Sequence, residues 1–236
     1  MAPDHESRTL SFHGGPLTGF GKTLVLVLSC FLVIPIAWAL AAFMRWFANS
    51  VKSSDGTTLA FEGRGGRIWW LPLVWILPSI VSSAVPLLHN ELGYYVSQSP
   101  GNSFFWGLIV GWVLLPLSSF ATLVFWRWVV DGMVPGCGTR FAFKGSYLGV
   151  LAWSFIVGLS MLTIVGWAWV SVAMYRWYWR NVEGGGSRLN FTGSGWQMLW
   201  RTIAFTLASV LIVPIPWAQN WYLGWYVRCS EIVRAD

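Results

Sequence analysis

Charged side chains are scarce in this chain. Fifteen Lys and Arg and nine Asp and Glu among 236 residues make 10%, against 56% apolar, where an ordinary soluble domain carries about 25% charged residues. Together with a mean hydropathy of +0.57, that shortage argues against a water-facing surface and predicts a chain whose solvent is the bilayer. The formal charge of +6 does not amount to a nucleic-acid patch, because the basic residues are spread through short segments beside apolar runs, where they report membrane topology instead. Only three cysteines occur, Cys30, Cys137 and Cys229, far apart. They form neither a disulfide framework nor a metal-ligand spacing, and all three read as small apolar fillers. His5, His13 and His89 have no second ligand at helical or loop spacing, which argues against a metal site; the alternative is His13 or His89 coordinating a haem or chlorin magnesium near an interface. No cleavable leader is expected, since residues 1–22 carry Asp4 and Glu6 and no convincing small-residue cleavage site follows the first apolar run.

What is abundant is tryptophan, 19 residues, whose half-apolar ring favours the headgroup level. The Trp-rich apolar stretches all follow one phrase, Phe-x-Gly, written as Phe12-His13-Gly14, Phe61-Glu62-Gly63, Phe143-Lys144-Gly145 and Phe191-Thr192-Gly193. Trp38, Trp169 and Trp217 lie 26 residues after their Phe, and Trp46, Trp177 and Trp225 lie 34 residues after it. Self-similarity at a period of about 48 residues marks a repeat architecture. The repeats run over about 7–55, 56–137, 138–185 and 186–236 within a single membrane domain, 1–236. The second is longer, because Phe61 and Phe143 are 82 residues apart where the neighbouring distances are 49 and 48; its two full spans are joined by the polar stretch 89–103.

Apolar segments run over about 23–44, 68–88, 104–125, 147–175 and 196–227, each long enough to cross the hydrocarbon. Pro35, Gly166 and Pro214 interrupt three of them, each 23 residues after its Phe, where a proline kinks or ends a helix. Before each Phe, residues 56–61, 138–143 and 186–191 alternate apolar with polar or small side chains behind a glycine, and 7–12 give a further copy at the N-terminus: four short strands. All basic residues fall outside 68–126, and the stretch 89–103 carries only Glu91. By the positive-inside rule the strands and both termini are cytoplasmic, with 89–103 outside. Two topologies satisfy the pattern. In one, the first, third and fourth repeats are helical hairpins turning at Pro35, Gly166 and Pro214, and the strands gather on one face where they can pair with one another; in the other, five plain or kinked spans place the strands on alternating faces.

An apolar helix, then Pro216-Trp217-Ala218, then a basic-aromatic stretch and Gly-x-x-aromatic-x-Phe-x-Gly resembles the YjgN-like family of bacterial inner-membrane proteins of unknown function. The first and third repeats depart from it, with Ile36-Ala37-Trp38 and Trp167-Ala168-Trp169. The resemblance implies a bacterial cytoplasmic membrane and no particular activity.

Motifs for chemistry are few. Residues 16–23 end like a phosphate-binding loop, but Pro16 stands where glycine is needed and an apolar segment follows, so Lys22 reads as a snorkelling interfacial lysine. Arg201 is the chief ionisable residue inside an apolar segment, near headgroup level; a coupled proton or sodium pump is thereby disfavoured. Arg45-Trp46, Arg127-Trp128 and Arg176-Trp177 precede the next Phe by 16, 16 and 15 residues. With Trp38, Trp169 and Trp217 they are candidate interface or anionic-lipid anchors, and Gly107 with Gly111 forms a Gly-x-x-x-Gly candidate for helix packing. The reading is a mainly α, polytopic integral membrane protein of four pseudo-repeats with short cytoplasmic strands. It carries no cofactor or catalytic machinery and acts as a scaffold or accessory subunit on lipid, another integral membrane protein or itself. The alternatives are a small transporter or channel with a pathway between repeats, or a Trp-lined binder of a flat hydrophobic ligand such as a tetrapyrrole.

Overall fold

The computed structural model describes residues 8–91, 100–135, 140–163, 165–211 and 213–234; His5 and Cys137 lie outside them, as does the side chain of His89. One arrangement recurs four times. A short strand ends at the Phe of Phe-x-Gly, helices follow, and the chain comes back as a second short strand paired with the first. The first unit is β1 (Arg8–Phe12), α1 (Pro16–Ser29), α2 (Ile36–Asn49) and β2 (Val51–Ser53). The second is β3 (Leu59–Phe61), α3 (Leu71–Glu91), α4 (Pro100–Val113), α5 (Leu115–Gly132) and β4 (Met133–Pro135). The third is β5 (Ala142–Phe143), α6 (Tyr147–Ser160), α7 (Trp167–Arg180) and β6 (Val182–Gly184), and the fourth is β7 (Ser187–Phe191), α8 (Gly195–Val210), α9 (Ile215–Arg228) and β8 (Ser230–Arg234).

The registers decide the topology. Phe12 faces Val51, Phe61 faces Met133, Phe143 faces Val182 and Phe191 faces Ser230, all in antiparallel pairs. Helices therefore leave and re-enter the sheet at one end of the strands in all four units, as the hairpin reading expects and the five-span reading does not. Strand pairing differs from the expectation, however. In the order β2-β1-β8-β7-β6-β5 no two Phe-bearing strands are neighbours; each is flanked by returning strands, which the sequence did not announce. The pair β3-β4 is joined to this run by a bridge between Lys52 and Thr58; among the described residues no pairing links β4 to β5, and the circuit of eight strands is completed there by α5, which packs on β5 and α6. Helices repeat the closure: α2 packs on β3, α5 on β5, α7 on β7, and α9 on β1 and α1.

Each break sits where the sequence placed it, with Pro35, Gly166 and Pro214 as the residues immediately before α2, α7 and α9. Among the described residues each turn carries internal backbone bonds. Leu32 N–H donates to the Ser29 carbonyl at 3.1 Å, Thr163 N–H to the Ser160 carbonyl at 3.0 Å and Leu211 N–H to the Ala208 carbonyl at 3.2 Å. Most of these helices have 14 residues, about 21 Å at 1.5 Å per residue, short of a hydrocarbon core of about 30 Å. Among the described residues no single helix is long and apolar enough to cross a membrane; 107–113 and α5 pass that test together but are bent by 60°. The expectation of five crossing segments thus gives way to short helices in hairpins. In the second unit the span expected over 104–125 is divided at Leu114, with Pro116 in the first turn of α5, where a proline costs no helical hydrogen bond. The polar stretch expected as a loop is helical at 89–91 and 100–103.

Candidate functional site

Every Phe-x-Gly does the same packing job. The Phe ring folds back over its own glycine, so that a Cβ on Gly63 or Gly145 would lie 2.3 Å from the ring; no other residue type fits there without displacing the ring. A tryptophan from the unit's last helix then closes edge-on against each Phe: Phe12–Trp46, Phe61–Trp128, Phe143–Trp177 and Phe191–Trp225, with centroids 5.8, 5.0, 6.2 and 6.2 Å apart and planes at 76–85°. This is the favoured edge-to-face geometry. The middle residue of each phrase donates its N–H to the last turn of the same helix, His13 to Ser50, Glu62 to Gly132, Lys144 to Asn181 and Thr192 to Cys229, at 2.8–2.9 Å. Trp128, displaced by the insertion in the second unit, thus belongs to the same set as Trp46, Trp177 and Trp225.

The arginines next to these tryptophans reach forward. Arg45 donates to the Gly63 carbonyl at 3.5 Å and Arg176 to the Gly193 carbonyl at 2.8 Å, each clasping the Phe-x-Gly of the following unit; among the described residues Arg127 has no counterpart to this bond. All three are exposed. Trp38, Trp169 and Trp217 are about half exposed, and the helix starts that carry Trp38 and Trp169 abut the next unit: a Cβ on Gly65 would lie 2.6 Å from the Ala37 carbonyl oxygen, and one on Gly195 2.6 Å from the Trp169 ring. Gly107 and Gly111 face open space, with nothing within 4 Å of an added Cβ. α4 packs chiefly on α3, and its Trp112 reaches α6 at Gly158, meeting Phe155 edge-on at 4.9 Å.

Inside the strand ring lies an apolar cavity of about 90 Å³, roofed by one aromatic from the last helix of each unit, Phe47, Trp126, Trp179 and Tyr226. Polar atoms at its wall are satisfied within the fold: Trp179 Nε1 donates to Ser230 Oγ at 2.9 Å, which donates to the Tyr226 carbonyl at 3.0 Å.

The outside of the helices is the larger feature. Counted from each Phe, positions 5, 12, 16 and 19 are exposed and apolar in three units: Leu17, Leu24, Leu28 and Phe31 on the first; Leu148, Phe155, Leu159 and Leu162 on the third; Trp196, Ile203, Leu207 and Val210 on the fourth. Exposures run from 44% to 83%, on side chains that a protein in water buries. The second unit keeps part of the stripe, with Leu73 and Ile80 exposed. Sequence reading missed the stripe of α6 because that helix is apolar all round, so no amphipathic period separates its outer face from the inner one; in α8, where Gln197, Arg201, Thr202 and Thr206 lie off the stripe, the period was there to be read.

Ion pairs stay in the strand layer: Arg8–Asp55, Arg140–Glu62, Lys144–Glu183 and Arg188–Glu183, at 2.7–3.2 Å. Hydrogen bonds from Lys144, on the loop after β5, and from Arg188, on β7, hold the Glu183 carboxyl below its usual range. Among the described residues no three His, Cys, Asp or Glu lie together as a metal site would need. Comparisons with protein families, curated proteins and solved structures return no match for this chain.

Proposed function

We propose that the chain is a four-unit pseudo-repeat scaffold of a cytoplasmic membrane, entered by helical hairpins from one side, with its strand ring and ion pairs at the headgroups. The observation that carries this reading is the outer apolar stripe. Exposed apolar surface beyond a few hundred Å² marks a membrane or protein contact, and a stripe in the same register on successive units fits a medium that surrounds the molecule better than a partner that touches one side. The hairpins complement it, because each turn returns some of its backbone N–H groups to its own carbonyls, as a lipid environment favours. The likeness of the repeated phrase to the YjgN-like family is proposed on the same residues. The central cavity is a weaker basis for function, being far smaller than the roughly 300–1,000 Å³ of pockets that hold drug-sized ligands.

Cysteine accessibility tests the proposal in a chain whose native cysteines are replaced by alanine. In intact membranes a membrane-impermeant maleimide is expected to label Thr57→Cys and Ser187→Cys from one common side. Leu28→Cys, Leu159→Cys and Leu207→Cys are expected to react only after detergent. Labelling of the three stripe positions in intact membranes, or of Thr57→Cys and Ser187→Cys from opposite sides, would overturn it.

A further inference from the structure

Among the described residues the arginine in the first helix of the fourth hairpin has no partner for its charge. The Arg201 guanidinium lies 4.8, 4.5 and 5.4 Å from the ring centroids of Trp200, Trp221 and Trp225. Its Nε and Nη1 are buried and donate to nothing, whereas Arg8, Arg140 and Arg188 all pair with carboxylates. Arg228, Cys229 and Tyr222 are the titratable groups whose charge it feels, none of them a carboxylate, and Arg228 donates its own Nε to the Gly224 carbonyl at 3.0 Å. Aromatic faces attract the cation but accept no hydrogen bond of full strength, and donors buried without an acceptor are costly. A guanidinium with two buried, unbonded donors and no carboxylate partner asks for an anion.

We infer that Arg201, walled by Trp200, Trp221 and Trp225, binds the phosphate group of an anionic phospholipid. The planar fork of an arginine matches two phosphate oxygens at once. Arg201 is the seventh residue of α8, about 9 Å along the helix from its sheet end, and Trp200 of its aromatic wall, 40% exposed, borders the outer stripe of Trp196, Ile203 and Leu207 on which acyl chains would lie. The residue as a whole is only half-buried, and Nη2 is not among its buried unbonded atoms, which leaves an approach at that corner of the guanidinium. The inference rests on the membrane reading above.

The full chain, purified in neutral detergent and exposed to equal amounts of phosphatidylglycerol and phosphatidylcholine, is expected to retain the anionic lipid with a preference of roughly fivefold, counted by native mass spectrometry. Arg201→Gln is expected to bring that ratio to one, and Arg201→Lys, which keeps the charge but not the fork, to an intermediate value; circular dichroism and a thermal melt of each variant check the fold. No preference in the wild type, or an undiminished one in Arg201→Gln with native melting, would overturn the site. Glycerol phosphate in millimolar excess should leave the lipid in place; displacement would reassign the site to a soluble phosphate. Flotation on phosphatidylcholine vesicles separates the two proposals: a wild type that floats but shows no anionic preference defeats the site alone, while a wild type that fails to float defeats the membrane reading.

Discussion

The four Phe–Trp clamps show why a three-residue phrase recurs with so little else. Phe is needed to fill the base of a helix pair, glycine to let the ring lie on the backbone, and the middle residue lends the clamp only its N–H, which leaves the side chains of His13, Glu62, Lys144 and Thr192 free to differ and, in Glu62 and Lys144, to form ion pairs of their own. Restoring a Cβ under the ring should be costly. Gly63→Ala and Gly145→Ala are expected to destabilise by about 1–3 kcal/mol through overpacking, and Trp128→Ala by about 3–5 kcal/mol through the cavity left against Phe61, read from denaturant unfolding in detergent. Gly107→Ala is the contrast: with open space around it, gained helix propensity should stabilise by about 0.5–1 kcal/mol. The glycine spacing was legible in the sequence. Its role was not, because a Gly-x-x-x-Gly pattern states which residues are small and not whether a neighbour arrives.

Among elements, the Phe-bearing strands and the breaks at Pro35, Gly166 and Pro214 could be read from composition, since glycine turns, alternation and proline leave local marks. The returning strands could not. β2, β4 and β6 have three residues each, too few for a period of two to register, and their pairing is dictated by the hairpin that brings them back. The hairpin turns also carry strain that the sequence did not announce. Val33 has φ of 57°, a conformation that a β-branched residue adopts only at a cost. Val33→Gly is expected to raise the melting temperature of the chain, the relief of roughly 1–3 kcal/mol outweighing glycine's added freedom in the unfolded state, and an unchanged or lowered melting temperature would count against a strained turn.

For the whole molecule, Glu183 is the hub through which pH reaches the fold, bridging Lys144 beside β5 and Arg188 on β7. Its carboxyl is held below the ordinary range, so its contribution is present above the unfolded carboxylate pKa and is lost as pH falls through the lower folded value. Stability measured against pH should decline over that acidic window, and Glu183→Gln should flatten the decline while leaving neutral pH little changed, as exposed pairs are weak. The ring itself has a consequence for biosynthesis. β1 pairs with β8 at Arg8–Ile232 and Thr9–Glu231, and β6 with β7 at Glu183–Arg188 and Gly184–Ser187, so a nascent chain presents two bare strand edges until its final unit emerges. Chains stopped before residue 186 should therefore pair edge to edge and exchange strands between copies, whereas a circular permutant opened in the Gly185-Gly186 turn, with residues 234 and 8 linked, should close normally: the order in which the units are translated is a hazard during synthesis and no part of the finished architecture.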